Sequence, residues 1–199
     1  MKAILLALVV MFGLTSCHSI KYQDREMRLY QDLEVKYELV NEVDASDVEG
    51  VDRVSAKYNF IEDKITLQNK GLFRGNKDFI HNMVHELIHW TGHVDRLNRI
   101  DLSNRVDWFL EEAVAEYGTV LFVEESKIGS IKYKQKHADK YLKRHPLTRE
   151  LTESEIEYAK EEARKAVDYI YKQLDKKDIS VKDINLLRTV IVNLIIGIP

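Results

Sequence analysis

Apolar and polar side chains alternate between residues 33 and 39, with Leu33, Val35, Tyr37 and Leu39 set against Glu34, Lys36 and Glu38. A period of two predicts a half-buried strand. Val54, Ala56 and Tyr58 alternate again, a turn-like stretch over 59–63 follows, and Ile65 and Leu67 resume the pattern. That spacing predicts a β-hairpin. The period then changes. From about Lys77 to Thr91, the residues Ile80, Met83, Val84, Leu87 and Ile88 recur at helical spacing. Asn76 is the candidate N-cap, Asp78 suits the first turn and Gly92 is placed to stop the helix. Val106, Phe109, Leu110, Ala113, Val114, Tyr117 and Leu121 predict a second helix, from about Asn104 to Glu124. Thr152 and Glu155 have capping-box spacing. The helix behind them carries Ile156, Ala159, Ala163, Val167, Ile170 and Leu174 on one stripe. Ser180 and Asp183 repeat the spacing before a last apolar helix, from about Val181 to Ile196, expected to pack into the core. It is too short for the roughly 20 residues of a membrane span, and Lys182, Asp183, Arg188 and Asn193 interrupt it. Strands followed by a run of helices predict an α+β domain, a small hairpin or sheet packed on a mainly helical body.

Composition adds few constraints. A chain of 199 residues, 45% hydrophobic and 32% charged, suits one globular domain. A net charge of −3 gives no basic field for nucleic acid, so a nucleic-acid partner is not expected. Pro146 and Pro199 are the only prolines, which leaves no Pro-rich linker.

The N-terminus changes the picture more. Lys2 precedes an uninterrupted apolar run over 3–14, and Leu14, Thr15, Ser16 and Cys17 follow. This resembles a bacterial lipoprotein signal, whose small residues precede an acylated cysteine. The resemblance implies that residues 1–16 are removed, that Cys17 is lipidated, and that the protein is exported and anchored at a bacterial cell membrane. Residues 17–32, mostly polar, are then expected to form a tether or a loose helix and 33–199 the domain. Cys17 is the only cysteine. Once acylated, it leaves a domain without a disulfide, a cysteine nucleophile or a cysteine-ligated metal. Any metal must be held by histidines and carboxylates.

His85, Glu86, Leu87, Ile88 and His89 form an HExxH motif inside the first predicted helix. Histidines four residues apart stand one above the other on a helix face, and their ring nitrogens can meet one zinc ion at about 2.0–2.1 Å. Glu86 is turned by about 100° from His85, so it flanks the ion, where it can take a proton from an attacking water. A third ligand must come from elsewhere. His93 continues the spacing, but on a continuous helix it would lie about 12 Å from His85 along the axis. His93 also follows Gly92, so it reads as a loop residue or as one that supports a ligand from behind. The second helix offers Glu111, Glu112 and Glu116. Glu112 and Glu116 share a face, which suits a pair in which one carboxylate binds zinc and the other holds a zinc-bound imidazole.

The stretch from Met83 to His93, then Arg96-Leu-Asn-Arg99, then Glu111 to Glu116, resembles the zincin-like metallopeptidase domain of ArdC-type antirestriction proteins and phage polyvalent proteins. Tyr58 with 63–67 upstream, and 137–141 with the helix over 159–170 downstream, extend the likeness over roughly 52–175. The resemblance implies a gluzincin-like fold, zinc as cofactor, His85 and His89 as ligands, Glu86 as general base, and a glutamate of the EEAVAE block as third ligand. In thermolysin-like gluzincins an acid four residues beyond the ligand orients a zinc-bound histidine. Glu112 as ligand with Glu116 behind it resembles that arrangement, and Glu111 is then expected to contribute nothing. ArdC-type proteins also carry an N-terminal domain for single-stranded DNA, for which this chain has no room, and they act inside the cell. Their antirestriction role is therefore not carried over.

Other residues are candidates for substrate contact. His137 and Tyr141 lie one helical turn apart and read as a surface histidine and a packed aromatic, or as donors to the oxyanion of a tetrahedral intermediate. Arg96 and Arg99 could hold a substrate carboxylate bidentately, and they could equally pair within their loop. The basic stretch from Lys132 to Arg144 reads as a solvated face, and Trp90 as core. The strand near 64–67 is expected to be an edge that aligns an extended peptide. The reading is a lipid-anchored zinc metallopeptidase acting on a peptide or protein substrate. Its competitors are a zincin scaffold that binds a protein partner without turnover, which has no need of Glu86, and a cytoplasmic antirestriction factor that keeps residues 1–16.

Overall fold

The computed structural model describes residues 27–44, 55–100, 107–128, 136–142 and 150–177, apart from the side chains of Lys136, His137 and Tyr141. Three strands form one sheet: β1 (Lys36–Val40), β2 (Ala56–Asn59) and β3 (Lys64–Gln68). β2 and β3 are the antiparallel hairpin that the alternation predicts, with Tyr58 opposite Ile65. The Asn59 side chain accepts from the amides of Ile61 and Glu62 at 3.0 and 3.1 Å, an Asx-type turn that reverses the chain. Asp63 closes it at φ 49°.

β1 corrects the expected role of β3. It pairs with β3 in parallel, Tyr37 opposite Ile65, so the strand order is β1-β3-β2. The segment 64–67, expected as a free edge, is the centre of the sheet, with both sides hydrogen-bonded. A peptide cannot add there. The Gln68 amide donates to the Ser55 carbonyl at 2.8 Å, which makes Ser55 and Gln68 a hydrogen-bonded pair. By alternation the backbone groups of Ala56 and Tyr58 then point away from β3, and among the described residues no strand covers that side.

Ala56, Tyr58, Ile65 and Leu67 bury one face of the sheet against α1 (Asn76–Thr91). The capping residue of α1 is Gly75, not Asn76, which is its first helical residue. Every residue of α1 from Met83 to Thr91 is buried, because the sheet, α2 (Trp108–Ser126) and α4 (Glu153–Lys176) surround it. The sequence predicted only one covered face. α2 starts at Asp107, whose side chain accepts from the Leu110 amide, and ends at Lys127 in the left-handed region, φ 57°. The expected start near Asn104 lies outside the described residues. Gly118 lets α2 approach α1 closely, since a Cβ there would sit 2.9–3.0 Å from the Ile88 side chain. Gly92 ends α1 for a similar reason. Its φ is an ordinary −77°, but a Cβ would meet Ile100 Cδ1 at 2.6 Å.

α3 (Lys136–Leu142) packs on α2, where the Tyr117 hydroxyl donates to Asp139 at 3.1 Å. The Thr152–Glu155 capping box opens α4, with reciprocal bonds of 3.3 and 2.8 Å. Ala159, Ala163, Ala166, Val167, Ile170 and Leu174 form its buried stripe, small residues that bring it close to α2. The segment expected over 17–32 as a tether or a loose helix is described only at its end. Residues 27–32 are helical, Leu29 and Tyr30 are completely buried, and the Tyr30 hydroxyl donates to the Met83 carbonyl beneath α1. Cys17 and the apolar segment over 181–196 lie outside the described residues. No helix among the described residues is long and apolar enough to cross a membrane.

Candidate metal centre

The middle of α1 faces the first half of α2. His85 and His89, one turn apart, direct their Nε2 atoms to a common point, 3.1 Å from each other. Glu112 closes the triangle, with one carboxylate oxygen 3.3 Å from His85 Nε2 and the other 3.3 Å from His89 Nε2. Ligand atoms about 2.0–2.1 Å from a tetrahedral ion stand roughly 3.3 Å from one another. The two imidazole nitrogens, and the carboxylate with one oxygen near each of them, are gathered closely enough to meet one zinc ion, and their chemistry, two imidazoles and a carboxylate, matches.

The far nitrogens are fixed as firmly as the near ones. His85 Nδ1 lies 3.1 Å from Glu116 Oε1 and His89 Nδ1 lies 3.1 Å from Glu111 Oε1. A carboxylate at Nδ1 keeps the proton there and leaves the Nε2 lone pair directed at the shared point. Glu111 thus departs from the expectation that it contributes nothing. It is buried, and the buried Arg99 clamps it with bonds of 2.7 and 2.8 Å. Arg99 also donates to the Ile88 carbonyl at 3.0 Å and to Thr91 Oγ1 at 3.3 Å, which ties the loop after α1 to both helices. Glu116 takes a second histidine: His81 Nε2 lies 2.9 Å from the same oxygen that meets His85. Sequence reasoning followed the four-residue spacing forward to His93 and missed it backward at His81. His93 stands beyond the helix end, where its ring accepts from the Asp95 amide at 3.2 Å.

Electrostatics favour a cation at this point. Burial would lower both imidazoles, but carboxylate hydrogen bonds outweigh it. Those from Glu112 and Glu116 raise His85 well above its usual value, and those from Glu111 and Glu112 raise His89 to about 9. Burial likewise opposes ionisation of Glu116, yet its bonds to His81 and His85 bring it down to about 2. Without an ion the carboxylates draw protons onto the imidazoles. That is the response of a donor set built around positive charge. Glu86 flanks the triangle. Burial raises its pKa, the histidines partly offset the rise, and the Tyr58 amide on the open side of β2 hydrogen-bonds to its carboxylate.

Arg96 does not face this centre. Its guanidinium donates to both oxygens of Asp63, to the Tyr58 hydroxyl and to the Trp90 carbonyl, and it stacks 4.1 Å over the Trp90 ring. With its donors committed, it is a brace between the loop and the hairpin turn, and the expected substrate contact is withdrawn. Trp90 is core, 6% exposed. His137 and Tyr141 fall on α3, but their side chains lie outside the described residues, as does the lipidation candidate Cys17.

Residues 34–150 match a family model described as a zincin-like metallopeptidase. No curated protein matches the chain. Among solved structures, the antirestriction ArdC protein from the R388 plasmid is similar in two forms. Its Mn(II)-bound form superposes with a TM-score of 0.50 at 22% identity, over 74% of this chain and 51% of that one. Its metal-free form gives 0.53 at 22% identity, over 76% and 50%. The chain spans about half the length of that protein, and likeness at this identity shows a shared fold alone.

Proposed function

The chain belongs to the zincin-like metallopeptidase family, and on that premise we propose that it is a zinc-dependent peptidase. The observation that carries the reading is the convergence of the His85 and His89 Nε2 atoms, 3.1 Å apart, on the Glu112 carboxylate, a different oxygen of which lies 3.3 Å from each nitrogen. These three residues would hold the ion. When bound, zinc supplies a Lewis acid that polarises the scissile carbonyl and acidifies a water. Glu86 is the base that takes the proton of the attacking water and passes it to the leaving amine. The Tyr58 amide sets its orientation. Glu116 and Glu111 hold the two imidazoles in the tautomer that binds metal. The free side of β2, rather than β3, is the edge along which an extended peptide lies, because the backbone groups of Ala56 and the Tyr58 carbonyl are turned outward there, while the Tyr58 amide is given to Glu86.

Membrane anchoring through Cys17 belongs to the same proposal and rests on the sequence around that residue. Cys17→Ser should abolish acyl labelling and release the protein from membranes; unchanged fractionation removes the anchor. Catalysis is tested by Glu86→Gln in the zinc-loaded full chain. Zinc content stays at one per chain, while cleavage of a peptide library, read by mass spectrometry, falls about 10²–10⁴-fold. Equal cleavage by both proteins removes Glu86 from the mechanism. If the wild type cleaves nothing, a non-catalytic scaffold that binds a protein partner replaces the peptidase.

A further inference from the structure

Two aromatic rings stand beside the centre: Phe60, partly buried against the core, and Trp108, exposed. Phe60 follows β2 directly. Its ring lies 6.3 Å from that of His89 and 5.2 Å from that of Trp108. Trp108 opens α2, four residues before Glu112, so the two share a helix face one turn apart. Trp108 keeps 43% of its surface exposed, and the neighbouring Ile61 keeps 87%. Large apolar side chains left open beside a buried polar site mark a surface that something covers. The arginines of the adjacent loop are committed elsewhere, Arg96 to Asp63 and Arg99 to Glu111, so this rim has no matched cation from them for an acidic side chain.

We propose that Phe60 and Trp108 determine specificity by receiving a large apolar side chain of the substrate, on the residue next to the scissile bond. This rests on the peptidase reading above. A peptide lying along β2 advances about 3.3–3.4 Å per residue. A side chain one residue from the metal therefore reaches a ring that stands 6.3 Å from the ligand His89. The hairpin turn and the first turn of α2 form the two walls. The Phe60–Tyr58 contact, 4.5 Å between centroids, holds the first wall in place.

The test uses zinc-loaded full chain and two hydroxamates that bind zinc without needing turnover, acetohydroxamate and N-acetyl-leucine hydroxamate, followed by calorimetry. The leucine compound should bind about 10–100-fold tighter to the wild type, the range for burying one aliphatic side chain. Trp108→Ala should remove most of that ratio while zinc affinity stays at the wild-type value, and Trp108→Phe should keep most of it. Phe60→Ala should act in the same direction as Trp108→Ala. Equal affinity for the two hydroxamates, or a ratio that survives both alanine variants, overturns the inference and leaves the metal centre intact. Failure of the leucine compound alone likewise overturns the inference, whereas failure of both hydroxamates to bind the zinc-loaded wild type removes the metal-centre reading, and this inference with it.

Discussion

Glu111 offers the sharpest test of how the centre is held, because the sequence alone assigned it no role. Its Oε1 meets His89 Nδ1 at 3.1 Å and Arg99 Nη2 at 2.8 Å, and its Oε2 meets Arg99 Nε at 2.7 Å. Glu111→Ala removes all three contacts. His89 loses the acceptor that orients its ring, and loss of such an outer carboxylate typically costs about 10–100-fold in metal affinity, or about 1.4–2.7 kcal/mol. Arg99 is left buried without its counter-ion, keeping among the described residues only Ile88 O and Thr91 Oγ1. Breaking a buried pair in this way costs about 3–5 kcal/mol of folding stability. The two effects separate. In the double variant Arg99→Met/Glu111→Leu both charges go together, so urea unfolding should recover most of the lost stability. Its zinc affinity, from competition with a chromophoric chelator, should stay low, since His89 still has no carboxylate. Glu111→Gln keeps a carbonyl acceptor for Nδ1–H and should lose less zinc affinity than Glu111→Ala. Wild-type zinc affinity in Glu111→Ala, with the fold intact by circular dichroism, would refute the reasoning.

Three further outcomes are expected. In the same chelator competition Glu112→Ala should be nearly zinc-free, while Glu116→Ala should bind about 10–100-fold more weakly than wild type; the reverse order would move the ligand one turn along α2. The zinc-free protein should be most stable between about pH 4.5 and 6.5. His89 is raised from 6.5 to about 9, and stability from a raised group is complete below the unfolded value and lost as pH climbs through the folded one. Glu116 is lowered from 4.5 to about 2, and its contribution is lost on acidification through that range. The thermal shift on adding zinc should therefore grow between pH 6.5 and 9, and a zinc-free melting temperature that rises over that interval would contradict the assignment. Gly118→Ala places a Cβ 2.9–3.0 Å from Ile88. Overpacking of about 1–3 kcal/mol outweighs the roughly 0.5–1 kcal/mol that alanine gains in a helix, so urea unfolding should show a net loss near 1 kcal/mol, and a gain would mean that Ile88 can turn aside.

The sequence by itself determined what depends on neighbours along the chain. A residue's partners at i and i+4 are set by helical geometry, so His85 and His89 were placed on one face, Glu86 beside them, and Glu112 and Glu116 on a common stripe. The hairpin and the Thr152–Glu155 cap were legible for the same reason, since alternation and capping are local. Tertiary structure alone decided which elements meet. Glu111 and Glu112 point about 100° apart on α2, yet both touch histidines of α1, because the helices cross where Gly118 permits close approach and His89 comes under Glu111 while His85 comes under Glu116. Arg96 and Arg99 look alike in sequence, but the loop folds back so that one reaches the hairpin turn and the other reaches α2. β3 became the central strand only when β1 paired on its far side, and Tyr30 became core by reaching a carbonyl 53 residues away. Contacts of that span depend on the distances between whole elements, and periodicity along a chain carries no information about those distances.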